Sequence, residues 1–351
     1  MRMRALQFGV AALACAGLSV AGAQAANGPP LPKAPGGKTV SVVAVGVKTP
    51  TSFAYGAGTL FEGDGGFQTN GPPNGGVNVL KNGTATAVST SLRFVAGLAW
   101  HDDALYVSGG SLAGKGVTWT LQKWTGFNGT TFASQKVIYT APKKFQGFNG
   151  IAFGPNGRLY VGVDTGLLNN NDHGPATTSP YLYDILSLRA DGSGLKVFAS
   201  GIRQPWQLAF APGSSAPLVS DLGQDKGAKN PPDFVLKVRS GDDYGFPTCN
   251  HVVAKKCKGF AKPLRSFKPH TDIMGMVIIG KTLYMTSFLS AGARGPGGEV
   301  VSMPLSGGPL KPVLTGFVAP TVGLGSDGKR LFVGQVGKNA AKPGIVYTVT
   351  P

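Results

Sequence analysis

The stretch Asn149–Val161, NGIAFGPNGRLYV, joins two short apolar runs through Gly154-Pro155-Asn156-Gly157. Gly and Asn accept the positive φ that a tight turn demands, so the phrase predicts a β-hairpin. The near-continuous apolar character of both arms predicts strands buried on both faces. Degraded copies recur: TSFAYGAGTLFEGD from Thr51, AGLAWHDDALYVSG from Ala96, WQLAFAPGSSAPLVSD from Trp206, MGMVIIGKTLYMTS from Met274 and TVGLGSDGKRLFVGQ from Thr321. Taking the second apolar residue as register aligns Phe53, Leu98, Ile151, Leu208, Met276 and Val322, at spacings of 45, 53, 57, 68 and 46.

Most copies are followed by a second, more alternating pair, as in VNVLKNGTATAVS, DILSLRADGSGLKVFASG and EVVSMPLSGGPLKPVLTG. Two inner and two outer strands at a period near 50 match a propeller blade. Six units predict an all-β chain folded as a six-bladed β-propeller. TVSVVAVGV (39–47) has no partner before it, and GIVYTVT (344–350) ends the chain one strand short. Pairing of these two segments is expected to complete the last blade and remove an exposed sheet edge. Two stacked β-sandwiches are the alternative arrangement.

The composition agrees: 54 Gly and 26 Pro with 14% charged residues indicate many turns and few helices. The first 25 residues read as a signal peptide, with basic Arg2 and Arg4, an apolar run from Ala5 to Val20, and Ala23-Gln24-Ala25 as cleavage site. The mature protein is then expected to be secreted or periplasmic. An uncleaved anchor is the alternative, and no later stretch is long enough to span a bilayer. Residues 26–38 read as a flexible Pro/Gly-rich lead and 39–351 as the propeller domain. Cys249 and Cys257 remain after cleavage, and two cysteines eight apart in an exported chain predict a local disulfide. Asn82-Gly83-Thr84 and Asn128-Gly129-Thr130 match a glycosylation sequon but read first as hairpin turns.

The formal charge is +17, and removal of Arg2 and Arg4 leaves 31 Lys and Arg against 16 Asp and Glu. Such a charge favours anionic partners, among them an anionic cell-surface polymer. Nothing resembles a nucleic-acid-binding motif. Ser-His-Asp sets, Rossmann glycines and P-loops are likewise absent from the sequence.

In a propeller the loops leading into the inner strands surround one end of the central channel. Five positions before each register residue stand Lys48, Arg93, Gln146, Arg203, Thr271 (beside His270) and Phe317. This ring, rich in permanent cations, suits a small polyanion in a partly desolvated pocket.

The chain resembles the soluble pyrroloquinoline-quinone sugar dehydrogenases, the glucose/sorbosone dehydrogenase family. The likeness is densest from Gln146 to Thr271. It rests on NGIAFGPNGRLYVGV, DILSLRADGSGLKVFASGIRQPWQLAF, GDDYGFPTC and CKGFAKPLRSFKPHTDIMGM, in that order and spacing. The resemblance implies a six-bladed propeller that oxidises a sugar or related alcohol with pyrroloquinoline quinone (PQQ) and calcium. It implies a histidine base nine residues before Pro155, where this chain has Gln146, an amide that cannot take a hydroxyl proton. His270 is the candidate substitute, with a plain turn histidine as the alternative. Cofactor contacts fall on Arg203, on Gln204 in place of the family's asparagine, and on Arg294, with Lys48 and Arg93 added by the ring. Calcium falls near Asp221 and Asp233, in a weakened acidic motif. The competing function is a non-catalytic exported propeller that serves as a binding or scaffold module.

Overall fold

A computed structural model describes residues 30–67, 73–113, 116–165, 179–224, 230–252, 254–288, 297–339 and 341–351. The expected signal peptide and Arg294 lie outside the described residues. Strand β1 (Val40–Val47) is followed by β2 (Pro50–Gly56), β3 (Thr59–Asp64), β4 (Gly76–Lys81) and β5 (Gly83–Val88). Next come β6 (Phe94–His101), β7 (Ala104–Ala113), β8 (Gly116–Phe127) and β9 (Phe132–Thr140), which form one antiparallel sheet. A second contains β10 (Phe148–Phe153), β11 (Arg158–Val163), β12 (Ile185–Arg189) and β13 (Lys196–Ala199). A third contains β14 (Pro205–Ala209), β15 (Leu218–Asp221), β16 (Asp233–Lys237) and β17 (Arg265–Phe267). The fourth contains β18 (Ile273–Ile279), β19 (Thr282–Ser287), β20 (Glu299–Pro304) and β21 (Lys311–Leu314). The chain ends in β22 (Thr321–Ser326), β23 (Leu331–Gln335) and β24 (Gly344–Val349). These strands and β1–β5 make an eight-stranded sheet in the order β2-β3-β4-β5-β1-β24-β23-β22. The fold is therefore all-β and propeller-like, with four four-stranded sheets and one larger one.

The opening hairpin forms as its residues dictate. β10 and β11 pair through Ile151–Val161, and the turn is closed by Gly154 N donating to Arg158 O (2.9 Å). Gly157 has φ +67° and Asn156 Oδ1 accepts from Arg158 N at 3.1 Å. Each first strand carries a pairing irregularity at its start, as where Phe148 pairs Val163 and the next pair is Ile151–Val161. There the first strands meet almost backbone to backbone. A Cβ on Gly150 would lie 2.7 Å from Trp206 O, and one on Gly323 would lie 2.7 Å from Pro50 O. Contacts run from β2 to β6, β10, β14, β18 and β22, and from β22 back to β2. Side chains bridge this ring: Ser108 Oγ donates to Asn149 O (2.7 Å), and Thr286 Oγ1 donates to Val322 O (2.7 Å).

Apolar side chains fill the spaces between sheets. Tyr106, Leu121, Phe148 and Leu159 form one fully buried cluster, and Phe61, Leu105 and Trp124 belong to another. Each such side chain contributes roughly 1.5–3 kcal/mol by leaving water.

The terminal strands pair as expected, β1 antiparallel to β24 from Val40–Val349 to Val47–Gly344. The larger sheet is continuous through two parallel pairs between β1 and β5, Ala44–Gly83 and Val45–Thr84. One expectation needs correction. Leu324, not Val322, pairs with Val333 where Ile151 pairs with Val161, so the sixth copy is misaligned by the small residues of its irregular turn of strand. In the described part of the lead, the Lys33 backbone exchanges hydrogen bonds with Thr315 (2.7 and 2.9 Å). Cys249 and Cys257 form a disulfide, with Cα atoms 4.8 Å apart.

Candidate active site

The loops leading into the first strands are anchored by the ends of the second strands. Asp64, the last residue of β3, accepts from Lys48 N (2.8 Å), Thr49 N (3.0 Å) and Gly66 N (2.6 Å). Asp221, at the matching end of β15, accepts from Gln204 N (2.8 Å). Gln335, at the end of β23, accepts from Val318 N (3.2 Å). The three share one repeat position, and their common task is to satisfy loop N–H groups that would otherwise be buried unpaired.

Among the ring residues, the structure forms two groups. Lys48 Nζ bonds the carbonyl of Asn74, and Arg93 Nη1 donates to Asn74 Oδ1 at 3.3 Å, so Asn74 draws these two cations together. Arg203 is buried, and its Nη1 donates to Gln204 Oε1 (3.0 Å) and Leu222 O (2.9 Å). It stands near Asp221, which in turn interacts with Asp233, and Asp233 with His270. His270 is exposed, has φ +62°, and its ring bonds the side chain of Asn230. Gln146 turns back on its own loop, donating to Lys144 O at 3.1 Å. Phe317 is a correction: it lies in the core against Tyr347, and with Leu324 as register its place in the ring falls to Ala319.

Burial pushes the Asp221 carboxyl up to about 7, opposed by the Gln204 N–H and the Arg203 charge. Burial also raises Asp233, against the hydrogen bonds it accepts from Gly223 N (2.6 Å) and Asp272 N (2.9 Å). Asp184, partly buried and near Asp243, is raised to about 6 by burial and then by that second carboxylate. A small cleft beneath Arg203, bounded by Asp221, Gln224, Asn250 and Cys249, has a volume of about 20 Å³. That is room for a water or two.

These donors bear on the implied ligands. Both oxygens of Asp233 already accept N–H groups, and a guanidinium stands beside Asp221. Calcium takes six to eight oxygen ligands, including free carboxylates, so this set fits loop anchoring rather than calcium. The cations fit a tricarboxylate in charge, with Lys48 and Arg93 the more accessible.

Solved structures with the same architecture carry sugar-linked names. A putative oxidoreductase (glucose dehydrogenase) from Thermus thermophilus matches with TM-score 0.67 and 19% identity, over 89% of this chain and 100% of that one. The likeness is one of fold. A second glucose dehydrogenase matches with TM-score 0.65 and 16% identity, over 89% of this chain and 99% of its own. A Xanthomonas campestris gluconolactonase matches with TM-score 0.55 and 14% identity, over 92% and 95%. No protein-family model matches the sequence, and neither does any curated protein.

Asn74, Asp64 and the Asp184–Asp243 pair were not visible as site residues in the sequence. Aligning the ends of the second strands, rather than only the starts of the first, would have found Asp64. His101 and His251 have structural settings. His101 stacks on Phe153 with centroids 3.9 Å apart, and His251 packs on Phe234 at 4.6 Å inside the disulfide loop.

Proposed function

We propose that the chain is an exported six-bladed propeller oxidoreductase of the sugar-dehydrogenase type, acting on a sugar or related alcohol with PQQ. The six-blade reading takes the larger sheet as two blades, β2–β5 and β22–β24 with β1, touching through the two parallel pairs of β1 and β5. The observation that carries the function is the placing of Lys48, Arg93 and Arg203 on loops leading into the first strands, in a fold shared over nearly full length with two glucose dehydrogenases. Lys48, Arg93 and Arg203, with Arg294 as a further candidate, supply positive charge for the cofactor's carboxylates. A bound PQQ supplies two-electron acceptor chemistry. His270 takes the hydroxyl proton, since an imidazole accepts a proton where the Gln146 amide does not. No role is assigned to calcium at Asp221 and Asp233.

A second reading, a non-catalytic binding or scaffold propeller, is favoured by two observations: Gln146 folds back on Lys144, and the Arg203 guanidinium is engaged within its own sheet. Titrating the purified protein with PQQ, with and without calcium, and following cofactor absorbance separates the two. Saturable binding is expected, weakened about 10- to 150-fold in Arg203→Ala by loss of a charged hydrogen bond. Gln146→His is expected to raise sugar-dependent dye reduction. Absence of cofactor binding in the wild type, with no activity in Gln146→His, leaves the binding-module reading standing.

A further inference from the structure

We propose that the disulfide loop and the strand after it form a binding track for an anionic polysaccharide. The track runs from Lys255, past the outer strand β17, to the loop leading into β18. It rests on neither reading of the channel mouth.

Fourteen residues, Lys255 to Lys268, hold six of the chain's 33 Lys and Arg: Lys255, Lys256, Lys258, Lys262, Arg265 and Lys268. The five lysines are exposed. Asp and Glu are absent from Tyr244 to Thr271, so nothing along the segment neutralises them. Of the acids around the segment, Asp242 Oδ2 accepts from Arg239 N (2.8 Å), Asp243 Oδ1 accepts from Gly245 N (2.8 Å) and Asp233 is buried, which leaves Asp272, next to Thr271, as the half-buried acid at its far end.

The segment is also held in place. Cys249, almost fully buried, ties it through Cys257, and Cys249 N donates to Gly245 O (2.8 Å). Ala261 N donates to Asp243 O (2.8 Å), and Asn250 Nδ2 to Gln224 Oε1 (3.1 Å). Fixed cations lose less entropy on binding than cations on a free loop. Lysines on an edge strand ordinarily serve to prevent edge-to-edge pairing. That role does not account for Lys255, Lys256 and Lys258, which lie on and beside a short turn (Ala254–Cys257) rather than on β17.

The chemistry of the surface selects the partner. Single-stranded nucleic acid calls for exposed aromatic rings on which bases stack. Among the described residues here, the exposed large apolar ones are the aliphatic Val252 and Leu264, while Phe267 is buried. Insertion into a membrane surface calls for an amphipathic helix with a broad apolar face, and this segment has one four-residue turn. Lysines act as point charges on flexible stems, which suits regularly spaced carboxylates on a polymer.

Fluorescently labelled oligogalacturonate, titrated with the full chain and read by anisotropy, tests this. Binding is expected to weaken steeply between about 20 and 300 mM salt. A Lys255→Glu/Lys256→Glu/Lys258→Glu variant is expected to bind at least about tenfold more weakly at low salt. A Lys311→Glu/Lys329→Glu variant, altered on other sheets, is expected to stay within about twofold. Thermal melts confirm that both variants are folded. The proposal is overturned if the two variants lose affinity equally, if neutral dextran binds as well, or if duplex DNA or anionic vesicles compete better than unlabelled polygalacturonate.

Discussion

Glu62 offers a sharp test of the packing between the ends of the chain. It lies in β3, fully buried, on the same face as Leu60, two residues away. Leu60 packs with Ala44, Val47 and Val346 of the closing strands β1 and β24. Asn78 Nδ2 donates to Glu62 Oε2 at 2.7 Å, whereas Oε1 is buried without a hydrogen-bond partner. Burial, and then the Asp64 charge, raise its carboxyl well above the ordinary range, against weaker opposing effects of Asn78 and Lys48. A carboxyl raised on folding contributes fully below its unfolded pKa, near 4.3. Its contribution falls as pH rises toward the folded value. Glu62→Gln keeps an acceptor for Asn78 and removes the ionisable oxygen. It should therefore stabilise the protein at pH 7 by about 1–3 kcal/mol, because the buried acid must hold a proton there and each pKa unit of upward displacement counts ~1.4 kcal/mol against it. For a chain of this size that is a rise in Tm of roughly 2–6 °C. At pH 4 the two proteins should melt together. Calorimetry across pH 4–8 decides: a Tm difference that does not vary with pH, or a less stable variant at pH 7, refutes the reasoning.

Deleting residues 40–47 removes the strand that covers β24 and should convert a monodisperse protein into aggregates on size exclusion, through an unpaired edge. A monomer with unchanged Tm would show that closure is dispensable. Reducing Cys249–Cys257, which are eight apart in sequence, should cost ~2.5 kcal/mol by the loop-closure argument. It should show as a lower denaturant midpoint, and an unchanged midpoint under reducing conditions counts against a stabilising bridge.

The fold was legible because its determinants are local and repeated. Apolar pairs around Gly, Asn and Asp turns specify hairpins one at a time, and the spare strands at the two ends specify closure. Counting apolar residues cannot see where backbone irregularities use up positions. Thr321–Gly323 is such a place, and the register slipped there from Leu324 to Val322. The docking of Lys33 on Thr315 was also invisible, because it uses backbone groups that any residue carries.

The candidate site was legible as positions but not as directions. A shared offset from the first strands puts Lys48, Arg93, Gln146 and Arg203 on equivalent loops, yet it cannot say where each side chain turns. Asn74, which gathers Lys48 and Arg93, comes from the connection between β3 and β4, far from either in repeat register. Gln146 and Arg203 are taken up by their own neighbourhoods, Lys144 in one case, Gln204 and Leu222 in the other. Asp221 read as a metal ligand because the family resemblance places calcium near it. Its equivalents Asp64 and Gln335 show what the position does: an oxygen there accepts loop N–H groups, whether or not it bears a charge. Since Gln335 performs this task as an amide, anchoring needs an acceptor and not an anion. Anchoring therefore accounts for the oxygens of Asp64 and Asp221 but not for their charge, whereas the cations of the lead-in loops stand where the repeat places no such demand.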